Sequence, residues 1–388
     1  MDVTSFPAER GERRFWWRVA AGGLLLAIGL GAAYYMEHHG HVVTGMTNEI
    51  VWGTPHVFAI FLIVAASGVL NIASMASVFG QAHYKPWSRL SGVLSVAMLA
   101  GGLMVLMLDL GRPERMVVAA THYNPTSVFA WNVLLYSGMF AAVLVYLWMQ
   151  LEKRMNRYAP SAGVAVLIWR FVLTSGTGMI FAFLVARQAY ASAVLPPLFI
   201  VMSLAWGMAV FVLVRAAVGG PADAELLRRM RKLLGLLVAL VLYFMVVYHL
   251  TNLYFAKQTG FERFILLDGG VYPWLFWIGY VLIGSVVPMV LVSRSSATAR
   301  TLRVAALLTL VGAFAALYVF IIGGQAYPLE IFPGYEVTSS FRDGAVAAYA
   351  PSVPEVLLGL GGVAAAFLIT VVAIQVFDIV PDRTVAAD

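Results

Sequence analysis

Ten apolar runs, each long enough for the roughly 20 residues a membrane-spanning helix needs, divide the chain. They fall at residues 15–35, 54–80, 87–110, 127–151, 162–188, 197–216, 231–255, 273–294, 300–322 and 354–378. Backbone crossing hydrocarbon must satisfy its own hydrogen bonds, and helices do so internally. The expected fold is therefore an all-α integral membrane protein. Only 11% of the 388 residues are charged, against roughly 25% in a soluble domain, which excludes a soluble enzyme. There is no cysteine, so disulfides, thiolate zinc sites and cysteine-ligated iron–sulfur clusters are excluded from this chain.

An even number of spans puts both termini on one side. Of the 25 Lys and Arg residues, 18 fall on that side and six on the other, with Arg170 inside the fifth span. The positive-inside rule then predicts cytoplasmic termini in a bacterial inner membrane. This asymmetry accounts for the net charge of +6 without nucleic acid as a partner. The basic stretch "GGPADAELLRRMRKLL" reads as an amphipathic lead-in to the seventh span, held by anionic lipid headgroups or by a partner. Residues 323–353, "GGQAYPLEIFPGYEVTSSFRDGAVAAYAPSV", are too polar to span and rich in turn formers and aromatics. They are expected to lie across the outer face as a lid or a docking surface.

All nineteen acids lie in loops, in termini or near the end of a span, which counts against a transporter that moves protons through a midplane carboxylate. Arg170 is the deep charge. It costs roughly 2.5–3.5 kcal/mol on insertion scales, so it calls for a partner, a wet cavity or carbonyls to clamp. Following the chain direction, several polar and aromatic residues meet at the outer ends of spans. Trp52 and His56 open the second span; Asp109 and Arg112, in "LDLGRPER", close the third; His122 and Trp131 follow; His249, in "YHLTNLY", closes the seventh. The dipole at a helix C-terminus repels a carboxylate by about 0.3–1 kcal/mol. Asp109 is thus a candidate proton acceptor, or simply the i, i+3 partner of Arg112. The tryptophans equally suit an interfacial belt. "EHHGH" at 37–41 reads as a solvated loop without metal-ligand spacing. A single haem b would need two of His56, His249 and His122, and no helix carries histidines paired for two haems.

The stretches "WGTPHVFAIFLIVAASG", "LDLGRPER" and "NPTSVFAWN" resemble the NrfD/polysulfide reductase membrane subunit family. The ten-span length and "GGQAYPLEIFPGYEV" resemble its DsrP branch, found in DsrMKJOP complexes of dissimilatory sulfur metabolism. The resemblance covers essentially the whole chain. It implies an N-terminal helix and outer loop over 1–53 and a first four-helix bundle with a quinone pocket over 54–190. A second four-helix bundle over 191–322 and a docking segment, last helix and tail over 323–388 would follow. It also implies menaquinone or ubiquinone as ligand, a periplasmic ferredoxin-like iron–sulfur subunit beside the pocket, and further membrane and cytochrome subunits. By motif position His56 matches the pocket histidine and Asp109 the pocket acid, with Arg112 tuning Asp109. Trp52, His122 and Trp131 are carried over around them, and His249 is the alternative in the second bundle. The implied function is electron exchange between quinone and the iron–sulfur partner. A secondary transporter and a passive membrane anchor are the rival readings.

Overall fold

The computed structural model describes residues 12–219, 224–294, 297–329 and 344–381. Among them, ten helices are long and apolar enough to cross a membrane. They are helix 1 (Arg13–His39), helix 2 (Thr54–Ser77), helix 3 (Ala82–Leu108), helix 4 (Val128–Leu151) and helix 5 (Asn156–Ala182). Helix 6 (Leu195–Val218), helix 7 (Ala224–Tyr254), helix 8 (Val271–Ser293), helix 9 (Ala299–Ala326) and helix 10 (Val353–Val376) complete the set. No strand occurs among the described residues.

Helices 2–5 pack on one another, as do helices 6–9, while helix 10 lies against helices 1, 2 and 3. Helix 2 is buried along nearly its whole length, whereas less than a third of helices 1 and 4 is buried. The two groups meet where helix 2 crosses helix 6. A Cβ on Gly68 would collide with the Ser203 carbonyl, and one on Gly207 would collide with the backbone of Gly68 and Val69. Backbone touches backbone there, the close approach that small residues permit between membrane helices.

Three expectations change. Helix 5 ends at Ala182 rather than 188, because residues 183–194 turn and dock. Arg187 reaches the carbonyls of Glu49 and Gln325, and the Tyr190 hydroxyl donates to the Ile321 carbonyl. Helix 7 starts at Ala224 rather than 231, so the basic lead-in is helical from there, supported by Glu225 contacts to Arg228 and Arg229 at 2.6 and 2.7 Å, the i+3 and i+4 spacing that stabilises helices. Finally, residues 37–39 of "EHHGH" form the last turn of helix 1 rather than loop.

Arg170 finds partners without a carboxylate. Its Nη1 donates to the Ser67 carbonyl and to Asn71 Oδ1, both at 3.0 Å. These acceptors flank Leu70, where the α-helical run of helix 2 is interrupted. The arginine clamps that interruption.

Candidate functional site

Helix 2 starts on Gly53, a residue with no side chain to cap it. Its first amides are met from far along the chain. The Thr54 N–H donates to the Tyr349 hydroxyl at 2.6 Å. That hydroxyl donates to Glu355 Oε1 at 2.6 Å, and Glu355 Oε2 accepts from the Gly45 and Ser352 amides at 2.8 Å each. One turn earlier, Gln325 Oε1 accepts from the Val51 and Trp52 amides at 3.0 Å each. Its Nε2 donates to the carbonyls of Trp52 and Ile321 at 2.9 and 2.8 Å. A Cβ at Gly53 would collide with Glu355 Oε1, so glycine is what lets this cap approach. Burial, and then the bond to the Glu355 carboxylate, push the Tyr349 phenol well above its ordinary range.

This arrangement yields a prediction. A phenol whose pKa is raised by folding contributes stability that is present below the unfolded value, about 10, and lost as pH rises through the folded one. Tyr349→Phe should cost about 1–3 kcal/mol by leaving the Thr54 amide unpaired. It should also flatten the fall in thermal stability above pH 10. Melting curves of the detergent-solubilised chain from pH 7 to 11 check both.

The cap sets the entry of His56, which faces the end of helix 3. There Asp109 is the C-terminal cap residue and Gly111 reverses the chain at φ +68°. His56 Nδ1 lies 2.6 Å from Asp109 Oδ2. Asp109 is only 5% exposed, yet neither carboxylate oxygen nor His56 Nδ1 makes an aligned hydrogen bond to protein. The contact is short but misdirected, as catalytic pairs often are before substrate binds. Trp52 stacks on the His56 ring at 5.8 Å and 25°, and is itself braced edge-on by Phe181 at 5.4 Å. A titratable pair with open acceptor sites thus sits beside a flat aromatic wall, an arrangement able to hydrogen-bond a hydroxyl and stack a planar ring.

The other candidates separate. Arg112 makes no ion pair with Asp109 among the described residues: it is exposed, beyond the Gly111 turn. The reversal at Gly111 carries it off the helix face on which i, i+3 pairing operates. His122 is exposed and bonds its neighbour Thr121 at 3.1 Å. Trp131 is half exposed, with its indole N–H donating to the Pro125 carbonyl at 2.7 Å. Neither joins the His56–Asp109 pair. His249 belongs to a separate cluster with Glu262. A continuous series of ring contacts through Trp52, Phe181, Phe320 and Tyr248 links His56 to His249. With those rings packed along the way and His122 exposed, the three histidines do not fit a bis-histidine haem. No group of three or more His, Cys, Asp or Glu among the described residues is placed to hold a metal.

Gln325, Tyr349, Glu355 and Arg187 escaped the sequence reading as supports of this site. One signal was legible. "SVPE" is a Ser-x-x-Glu capping box, and Ser352 and Glu355 form it at the start of helix 10. Nothing local in "GGQAYP" shows that Gln325 would clasp a turn some 270 residues away.

Comparison with known proteins agrees with the fold. Residues 42–328 match the polysulphide reductase NrfD family. The chain is 30% identical to the Hdr-like menaquinol oxidoreductase integral membrane subunit of Archaeoglobus fulgidus, over 92% of each chain. It is 25% identical to the NrfD protein of Escherichia coli, over 64% of this chain and 87% of that one. The C component of polysulfide reductase from Wolinella succinogenes is 26% identical, over 63% of this chain and 83% of its own. With ten spanning helices, the "WGTP" and "LDLGRPER" segments brought together, and a family match over most of its length, the chain belongs to the polysulphide reductase NrfD family.

Proposed function

We propose that this chain is the quinone-interacting membrane subunit of a multisubunit redox complex, and that His56 and Asp109 handle the protons of its quinol. The observation that carries this reading is the buried Asp109 carboxylate, 2.6 Å from His56 and without an aligned hydrogen bond. A buried carboxylate is normally satisfied; one left open beside a stacked tryptophan suits a ligand hydroxyl. The similarity to a menaquinol oxidoreductase subunit supports the same ligand class.

A quinol supplies two electrons and two protons on oxidation. The protein's part is to orient it and to take the protons. His56 accepts a hydroxyl proton, the neighbouring carboxylate offsets the charge the ring acquires, and Asp109 passes the proton onward. Trp52 holds the plane of the head group, and Gln325 and Tyr349 hold Trp52 and the start of helix 2. The same residues return protons when the flow is reversed.

Electrons leave to a partner, because the chain has no cysteine to ligate a cluster. In this reading the partner is a ferredoxin-like iron–sulfur subunit on the periplasmic side. The positive-inside asymmetry supports a periplasmic position for the site end of the bundle. Part of segment 323–353 is already committed to the site: Ala347 bonds the Ala326 carbonyl at 2.9 Å, and Tyr349 caps helix 2. Residues 330–343 lie outside the described residues. Docking is proposed for segment 323–353 as a whole, in a complex of the DsrMKJOP kind with sulfur metabolism as its setting.

Deleting residues 330–343 should leave the chain in the membrane and release the iron–sulfur subunit on purification. The optical spectrum and extracted quinone of the intact and deleted complexes report the result. An intact complex after the deletion would remove docking from this segment. Absence of extractable quinone from the native complex would count against the ligand.

A further inference from the structure

The second bundle contains a buried acid–histidine cluster that the reaction above does not use. Helix 7 ends with His249 and Asn252 facing inward, and the short helix Thr259–Arg263 folds Glu262 back over them. His249 Nδ1 lies 2.6 Å from Glu262 Oε2, aligned as a hydrogen bond, and Asn252 Nδ2 donates to Glu262 Oε1 at 2.7 Å. Glu262 and Asn252 are fully buried and His249 nearly so. No Lys or Arg pairs with Glu262 among the described residues.

The contrast with the first pair decides what this cluster suits. Asp109 keeps both oxygens open for a ligand. Glu262 has both oxygens occupied by protein, so a ligand hydroxyl would have to displace His249 or Asn252. One polar edge does remain. His249 Nε2 has no protein partner among the described residues, and its side chain keeps 11% exposure. Asn252 Oδ1 is buried without a partner beside it.

We propose that His249, Glu262 and Asn252 form a second proton-binding site, in the second bundle and at the same end of the bundle as the His56–Asp109 pair. The inference goes beyond the quinone reading and does not depend on it. In the empty form a neutral imidazole donates through Nδ1 to the Glu262 carboxylate, and the cluster carries one negative charge. One proton added at Nε2 gives an imidazolium–carboxylate pair with no net charge, and no heavy-atom bond is made or broken. A fully buried cluster favours the state without net charge, and Asn252 fixes the carboxylate toward the imidazole. Other titratable groups on the elements packed around it are few. Tyr248 gives its hydroxyl to the Ala189 carbonyl, Tyr272 and Tyr280 come from helix 8, and Tyr190 and Tyr327 from the flanking turns. Lys257 is exposed, and Arg263 pairs with Asp268 at 2.6 Å in the open.

The test is nitrogen NMR of the full chain in lipid nanodiscs with labelled imidazoles. The chain has seven histidines, and His249→Gln assigns the resonance. The native resonance should report a single proton uptake between pH 5 and 9. Glu262→Gln removes the negative charge and should weaken proton affinity at least tenfold, moving the midpoint to lower pH. Asn252→Leu removes a donor that stabilises the carboxylate, so it should move the midpoint the opposite way. Asp109→Asn should leave the His249 titration in place, which separates this site from the quinone reading. A His249 resonance constant across that range, or a midpoint unmoved in both Glu262→Gln and Asn252→Leu, would overturn the proposal and leave a structural clamp.

Discussion

Asp109→Asn should slow quinol oxidation by the assembled complex about 10²-fold or more, the loss typical of a removed acid–base group. Asparagine keeps the size of aspartate and can still hydrogen-bond, but it cannot take up a proton. Asp109 is 5% exposed at the C-terminal cap of helix 3, and His56 lies 2.6 Å from it. The substitution removes a carboxylate that the dipole of helix 3 disfavours, so assembly should survive it. The drop should fall on kcat, with KM changed little, because the group acts on the proton rather than on the ring. Turnover measured against pH, with assembly checked by copurification of the partner subunits, distinguishes this from a packing role. Native turnover with an unchanged pH profile would reduce the pair to a helix-end contact.

The same residues show how far sequence reasoning reached. The ten spans were legible because lipid forces continuous apolar runs, and the boundary of helix 5 moved where tertiary bonds overrode composition. Residues 183–188 are apolar enough to extend helix 5, but Arg187 gains two carbonyl partners by turning away from it. The meeting of His56 with Asp109 followed from chain direction and motif position. Pairing of Asp109 with Arg112 followed from helical spacing, and it failed because Gly111 takes a positive φ and ends the spacing rule there. The supports of the site were not legible. Gln325 closes helix 9, Glu355 opens helix 10, and each acts on a turn before helix 2. Local pattern carries no record of contacts across that separation. Glu262 was hidden for a related reason: as a loop acid it reads as solvated, and only the fold-back after helix 7 buries it.

A double-mutant cycle on the pair tests how the site divides its work. The two oxygens of a quinone lie on opposite sides of its ring, so groups that served one each would stand apart across the ligand. His56 and Asp109 are in contact at 2.6 Å, so in the proposed reading they would serve a single oxygen together. Groups that act as a unit show strongly non-additive losses. His56→Gln and Asp109→Asn should therefore each cost about 10²-fold, and the double variant should cost little more than either. Independent action on two oxygens would instead multiply the losses to about 10⁴-fold. Trp52→Phe, which keeps an aromatic wall against Phe181, serves as the control, because it should raise KM for quinol while leaving the cycle's coupling intact. Steady-state quinol oxidation by the native protein and the three pair variants gives the coupling directly. An additive cycle would divide the pair between the two oxygens. A coupled one assigns both residues to the same proton and leaves the second oxygen to another group.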